Sequence, residues 1–349
     1  MVQIHFEQYG VLKMKERTLG KTKLKVNSIG MGCWAIGGPF YHRGGKIISY
    51  GQVKDDESIQ ALERGIELGV NLFDTANNYG GGRSEKVLGK ALKGRREDFV
   101  IATKFGTVWD FDSGDPEVPM RLIGRDHTPN GIRKACETSL QNLQTDYIDF
   151  YQVHSGNMTS EVAVEVVATL EELVSEGKIR YYGWSTDHPD RGAMLAHGKH
   201  FAGTQFRLNI IHSNNEMLKF LDENNGFGLI KNPLSGGLLS GKYKDDSTVP
   251  RDHNWHGRDF TEGRIGQTRV VLEELRELAV NDGRTLVQTS LGYILAKHDR
   301  LIPIPGFKTV KQAEENSKVI ELGPLSNKLV SQIDKLFSEV HMDQSQVEG

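Results

Sequence analysis

Residues 148–184 read IDFYQVHSGNMTSEVAVEVVATLEELVSEGKIRYYGW. A β-branched and aromatic run at 148–153 leads into a segment where Ala163, Val167, Leu170 and Val174 recur at helical spacing. Ser160 stands where a helix cap belongs, and a second strand-like run follows at 180–184. Strand, helix, strand in this order is a βαβ unit. Its apolar strands predict a parallel sheet covered on both faces. Outward from this unit, strand-like runs recur at 28–32, 71–75, 99–103, 204–208, 227–230 and 302–304. Helical patterns occupy 57–68, 267–280 and 286–297, and Pro129 suits the first position of another helix after Thr128.

Eight strands alternating with helices over about 300 residues predict an α/β fold, a closed (β/α)8 TIM barrel. An open doubly wound sheet is the alternative. Against it, Gly30-Met-Gly32-Cys-Trp-Ala lacks the third glycine and the helix of a dinucleotide fingerprint. Gly20-Lys21, between 16–19 and 23–26, reads as the turn of an N-terminal β-hairpin. Length alone suggests two domains, yet a barrel this long is one. The expected parts are a hairpin at 16–26, a barrel at 27–322, a helix at 327–337 and a polar tail at 341–349.

Of the 349 residues, 37% are hydrophobic and 26% charged, ordinary values that exclude a collagen-like repeat, a coiled-coil rod and wholesale disorder. A net charge of −3 gives no basic footprint for nucleic acid. No apolar run approaches the roughly 18 residues that span a bilayer, and residues 1–20 hold no continuous apolar stretch, so neither a membrane span nor a signal peptide is expected. A cytoplasmic location follows from the same reading. Cys33 and Cys136 cannot build a disulfide framework or a zinc site, and no metal is expected. Monomer and homo-oligomer both stay open.

Three long connections, 34–54, 106–127 and 241–266, follow strands and so belong on the C-terminal face, where barrel enzymes carry their sites. They hold Tyr41, Tyr50, Trp109, Phe111, Trp255 and Phe260, a composition suited to a substrate rim. Trp34 and Trp109 are candidate walls of the substrate pocket. A core tryptophan is the other reading of Trp34.

The chemistry gathers at strand ends. Asp74 ends the second strand with Tyr79 shortly after it, Lys104 ends the third, and His154 ends the fourth. Taken singly, each has a plain reading: Asp74 a helix cap, Lys104 a strand-end charge or a Schiff-base lysine, His154 a structural histidine, Tyr79 packing. Together at one barrel mouth they make a set. A lysine near a tyrosine favours the phenolate, by roughly 4 kcal/mol at ~4 Å and an effective dielectric of about 20. A carboxylate keeps that lysine charged in a dry pocket, and a histidine can hold a carbonyl oxygen. A proton donor beside an oxyanion site suits carbonyl reduction, with a cofactor as the hydride source.

Phe73-Asp-Thr-Ala-Asn-Asn-Tyr-Gly80 with Ser84-Glu85, then Thr103-Lys104 and Val153-His154, resembles the aldo-keto reductase signature, and the resemblance runs from Arg17 to about Phe337. It implies a (β/α)8 barrel that binds NADP(H) without a Rossmann fold and transfers hydride between it and a small aldehyde, ketone or sugar. By this resemblance Tyr79 is the general acid/base, Asp74 and Lys104 tune it, and His154 orients the carbonyl. Ser185, Thr186 and Gln205 resemble the nicotinamide carboxamide site, with Thr186 where asparagine is usual. Residues 233–243, including Pro233, Leu234, Gly236, Gly237 and Lys242, resemble the loop that clasps the pyrophosphate. Lys231 stands where the family often has a stacking aromatic.

Residues 302–309 end the last strand and open a helix. Thr309 followed by Gln312 fits a capping box beside Lys308, and a helix N-terminus next to a lysine favours an anion. By resemblance, Lys308 meets the adenosine 2′-phosphate, Gly306 and Thr309 belong to the same cofactor-binding segment, and Gln312, Glu315 and Asn316 lie near the adenosine. Two other classes stay in view: an aldolase or lyase using Lys104 or Lys231 as a Schiff base, and an NADP-binding regulatory module with little turnover.

Overall fold

The structure is a computed structural model and describes residues 16–41, 47–110, 120–154 and 156–338. Eight parallel strands form one sheet in chain order: β1 (Met31–Gly32), β2 (Leu72–Asp74), β3 (Val100–Phe105), β4 (Ile148–His154), β5 (Ile179–Ser185), β6 (Phe201–Arg207), β7 (Phe227–Lys231) and β8 (Leu301–Pro303). A parallel bridge between Gly32 and Gly306, with Gly30 and Gly32 donating to the Pro303 and Pro305 carbonyls at 3.0 Å, curls the sheet shut. The expected eight-strand barrel is the fold found.

Strands have a side-chain period of two, and that period sorts the residues of the barrel. Leu72, Val100, Ala102, Phe150, Leu229 and Ile302 share one buried cluster inside the ring. One further step of two along β2, β3 and β4 reaches Asp74, Lys104 and Gln152, then His154. The residues that fill the barrel thus hand over to polar ones at the C-terminal end. The hairpin of Arg17–Thr18 and Lys25–Val26 contributes Leu19, Leu24 and Val26 to the inner cluster, so it plugs the opposite end.

The larger core lies between strands and helices, where Ala163, Val166, Leu170 and Leu173 of α4 (Ser160–Ser175) face the sheet. Thr128 caps the helix Pro129–Leu143 through Gly131 N–H, as the sequence suggested. The cap of α4 is Thr159, not Ser160, because its hydroxyl accepts from Val162 N–H while Ser160 already lies in the helix.

Two long connections are not irregular loops. Phe40–Tyr41, Ile47–Ile48, Thr107–Asp110 and Arg121–Arg125 form a four-stranded sheet over the barrel mouth. We call it the rim sheet. The helix expected at 267–280 starts earlier, at Gly263, and runs to Asn281 (α7). Val310–Ser317 (α9) follows β8, and the terminal helix is Asn327–Ser338. Phe111 and the expected tail at 341–349 lie outside the described residues. No helix among the described residues is long and apolar enough to cross a membrane.

Candidate active site

Lys104 is fully buried under the mouth of the barrel, and four hydrogen bonds fix its ammonium: 2.8 Å to each carboxylate oxygen of Asp74, 2.7 Å to the Thr75 carbonyl and 3.2 Å to the Tyr79 hydroxyl. Burial pulls Lys104 below its ordinary pKa and the Asp74 carboxylate opposes that pull. Tyr79 is carried by the turn after β2. That turn is held from behind, where Thr75 donates to Ser84 and Ser84 to the Cys33 carbonyl, at 2.9 and 2.7 Å. Buried Glu85 accepts from Thr103 and Asn142 at 2.7 and 3.0 Å, tying α2 (Arg83–Ala91) to β3.

The net direction of Tyr79 corrects one expectation. Lys104 was expected to favour the phenolate, but burial, then Asp74 and Cys33, hold the phenol well above its ordinary pKa. The reason is that the Lys104 charge is already matched by Asp74, while the hydroxyl has been removed from water. His154 is pushed the other way. Burial, then the cations Lys104, Lys231 and Arg125, keep its imidazole neutral. Its ring stands edge-on to Tyr79 with centroids 5.8 Å apart, and its Nδ1 has no hydrogen-bond partner among the described residues.

Gln205 of β6 joins the group by donating to Asp74 Oδ1 at 2.7 Å and accepting from Ser185 at 3.3 Å. Tyr79, His154, Ser185 and Gln205 face a cavity of about 1480 Å³ that continues past the 233–242 segment to Lys308 and Asn316. Ordinary small-molecule pockets span roughly 300–1,000 Å³, so this one can take a dinucleotide with a substrate beside it.

The remaining expected residues are distributed as follows. Lys231, Pro233, Leu234, Gly236, Gly237, Lys242, Gly306, Lys308, Gln312, Glu315 and Asn316 line the cavity, and so does Trp34, which packs against Tyr50 and Tyr79. Trp109 does not line it. That ring lies behind Phe40, edge-on with centroids 5.7 Å apart, and Phe40 takes the wall position. Thr186 and Thr309 are also absent from the wall: the Thr186 hydroxyl accepts from His188 N–H and the Thr309 hydroxyl from Gln312 N–H. The expected capping box is incomplete, because the Gln312 side chain reaches the Lys308 amide at 2.7 Å and not the cap residue's own.

Several wall residues carried no local sequence signal. Arg125 reaches the mouth only because Arg121–Arg125 pairs in the rim sheet. Asn209 and Asn232 shape the start of the 233–242 segment: Asn209 donates to the Asn232 carbonyl at 3.0 Å, and the Asn232 side chain accepts from Gly236 N–H at 2.6 Å. Gly236 and Gly237 both have positive φ, and a Cβ at either would run into Trp255 or Lys242. With no side chain at either position the backbone itself can be approached closely by a phosphate, while the Gly236 and Gly237 amides are held by Asn232 Oδ1 and the Leu234 carbonyl. Lys242 and Lys308 repel one another within this stretch. His253 beside them is pulled down to about 4, by burial and then by both lysines. The end of the cavity distant from Tyr79 thus gathers Lys242 and Lys308, with Asp252 and Glu57 acting on the latter, beside a backbone open to close approach, which fits the phosphates of a nicotinamide dinucleotide.

The model of the aldo/keto reductase family matches residues 28–337. The NADH-specific methylglyoxal reductase of Escherichia coli is 30% identical over 316 residues, 88% of this chain and 94% of that protein. The aldo-keto reductase yakc of Schizosaccharomyces pombe, whose name carries NADP(+), is 28% identical over 317 residues, covering 88% and 87%. Among solved structures, the glycerol dehydrogenase of Gluconobacter oxydans superposes with a TM-score of 0.82 at 25% identity, over 97% of this chain and 100% of that one. The family match takes in all eight strands and every member of the Asp74, Tyr79, Lys104 and His154 set, so the chain belongs to the aldo/keto reductase family of oxidoreductases.

Proposed function

We propose that this chain is an NADPH-preferring carbonyl reductase in which Tyr79 gives the proton, His154 holds the carbonyl, and Asp74 with Lys104 supports Tyr79. The observation that carries the reading is the 3.2 Å hydrogen bond from the Lys104 ammonium to the Tyr79 hydroxyl, with Asp74 holding the ammonium in place. When bound, the reduced nicotinamide supplies a hydride to the carbonyl carbon.

The side chains do the rest. Tyr79 keeps its proton through the working pH range and gives it to the carbonyl oxygen as that oxygen becomes an alkoxide, a far stronger base than a phenolate. Lys104 then stabilises the phenolate left behind. Its proton-sharing contacts already exist before the reaction, so little reorganisation is needed. Neutral His154 donates to the same oxygen and fixes the carbonyl at hydrogen-bond distance from Tyr79. Ser185 and Gln205 are assigned to the carboxamide, the 233–242 segment to the pyrophosphate, Lys308 to the 2′-phosphate, and Gln312, Glu315 and Asn316 to the adenosine.

A preference for the phosphorylated cofactor rests on Lys308. Its ammonium lies at the N-terminus of α9, where free amides add to its charge, and it donates to the Tyr50 carbonyl at 3.0 Å. A Schiff-base role for Lys104 conflicts with the geometry. Its nitrogen is committed to Asp74, Thr75 and Tyr79, and Lys104 does not line the cavity. The test is loss of NADPH absorbance under single-turnover conditions with an aldehyde panel. Turnover that survives Tyr79→Phe at the wild-type rate overturns the reading.

A further inference from the structure

His154 has only cations acting on it: Lys104, Lys231 and Arg125. Lys104 is answered by Asp74, but the other two belong to a group with fewer counter-charges. Lys231 at the end of β7 and Arg207 at the end of β6 are register partners on adjacent strands. They share a single carboxylate, Asp187, which lies 3.3 Å from the Lys231 ammonium and accepts from Arg207 N–H at 2.6 Å. Burial works against that carboxylate's charge, yet Lys231 and then Arg207 hold it ionised. Among the described residues no carboxylate pairs with Arg125. Three cations therefore stand against one anion at the wall beside His154, and Arg125, Arg207 and Lys231 all line the cavity.

Arg125 is also held in place. Its Nη1 donates to the His154 carbonyl at 2.7 Å. Its guanidinium lies over Gly156, where φ is +85° and an added Cβ would come within 2.9 Å of Nε. The chain is thus kept bare beneath the arginine, so the planar group rests against the backbone that also carries the catalytic histidine. A fixed guanidinium offers a carboxylate or phosphate two parallel donors without first losing much side-chain freedom.

We propose that Arg125, supported by Lys231 and Arg207, is an anion subsite beside the reacting carbonyl, and that the favoured substrates are aldehydes or ketones bearing a carboxylate or a phosphate a few bonds from the carbonyl. The proposal rests on the carbonyl-reductase reading for the reaction and adds the substrate class. Arg125 acts as a specificity residue. It takes no part in the proton transfer, and its removal acts on the charged group of the substrate.

Two measurements separate this proposal from the reading beneath it. The first is calorimetric titration of the NADP-loaded protein with 4-hydroxybutanoate against its amide, and with glycerol 3-phosphate against glycerol. One of the two anions should bind at least about tenfold more tightly than its neutral partner, and Arg125→Gln should abolish that margin. Whichever pair shows the margin identifies the anion. The second is kcat/KM for 4-oxobutanoate against its methyl ester, and for glyceraldehyde 3-phosphate against glyceraldehyde. The anionic member of the selected pair should win through KM, and the ratio should fall toward one in Arg125→Gln and in Arg207→Gln. Equal binding of anion and neutral partner in the unmutated protein overturns the anion subsite, whatever the turnover. A margin in binding with no turnover of any carbonyl overturns the reductase reading and leaves the subsite standing.

Discussion

Gln205 of β6 donates its side-chain amide to Oδ1 of Asp74 on β2 at 2.7 Å, a hydrogen bond thrown across the mouth of the barrel. A residue assigned to the cofactor amide in the proposed function is thereby tied to the carboxylate that holds the Lys104 ammonium. Replacing it should disturb both functions. Gln205→Met is expected to weaken NADPH binding and lower the single-turnover rate together, each by about tenfold, the worth of one hydrogen bond to a charged group. Fluorescence titration and stopped-flow absorbance read the two effects separately. A change in affinity alone would confine Gln205 to the amide.

Tyr79→Phe keeps the ring that packs on Trp34 and removes the hydroxyl, that is, the proton and the acceptor of the Lys104 hydrogen bond. Turnover should fall by roughly 10²–10⁴, the range of general-acid contributions, with NADPH affinity within about twofold of wild type. Rapid-mixing absorbance at saturating cofactor measures it.

Lys104→Met leaves the Asp74 carboxylate buried with the side-chain amides of Gln205 and Gln152 as its donors, at 2.7 and 3.4 Å. Breaking one half of a buried pair costs about 3–5 kcal/mol, so this variant should lose stability as well as activity. Asp74→Asn combined with Lys104→Met should recover most of the stability and none of the activity. Urea unfolding of the singles and the double makes the comparison. Equal stability of both singles and wild type would place Asp74 in a wetter site than the geometry describes.

The directions at Tyr79 and His154 fix the pH profile. Tyr79, with its pKa raised, stays protonated below its shifted value, and His154, with its pKa lowered, stays neutral above its own. Reduction should therefore be flat between about pH 6 and pH 9, where the free groups would place one histidine titration. The reverse reaction needs the phenolate and should rise with pH through the same window. A sigmoidal step near neutral pH in the reductive direction would mean that His154 changes charge during turnover.

Lys308→Ala should cut the ratio of kcat/KM for NADPH over NADH by about tenfold or more, with most of the loss in the KM for NADPH. Added salt should narrow the same ratio in the unmutated protein, because the lysine is only half-buried and its field is screened. Equal efficiency with both cofactors in the wild type would remove Lys308 from the 2′-phosphate.

Much of this arrangement was legible because it depends on local periodicity. Strand runs at 148–153 and 227–230 fall within a residue or two of Ile148–His154 and Phe227–Lys231, since apolar strands and amphipathic helices announce themselves within ten residues. Asp74, Lys104 and His154 could be brought together because successive strands of a barrel end on one face. The rim sheet was not legible. Its strands of two to five residues owe their existence to pairing between segments as distant as Tyr41 and Arg121, which no local window contains. Arg125 was hidden for that reason, and Trp109 was misplaced, since only the sheet decides which aromatic faces the cavity. The sign of the Tyr79 shift was missed for a different cause: spacing shows that a lysine is near, but not that its charge is already answered and the hydroxyl dry.

The seam between the first strand and the last has a meaning for how the molecule is made. Its hydrogen bonds run one way, from the N–H groups of Gly30 and Gly32 to the carbonyls of Pro303 and Pro305, and prolines can only accept there. Ile304 sends its own N–H in the opposite direction, to Ile230 at 3.1 Å. A chain leaving the ribosome therefore has seven strands in hand, with the open edge at Met31–Gly32 exposed, until the segment around residue 303 emerges. Ring closure is a late, long-range event, and such events are slow and leave unpaired edges that invite association. Chains truncated shortly before residue 301 should consequently be sticky and protease-sensitive, and the nascent protein should depend on chaperones until the last strand has emerged.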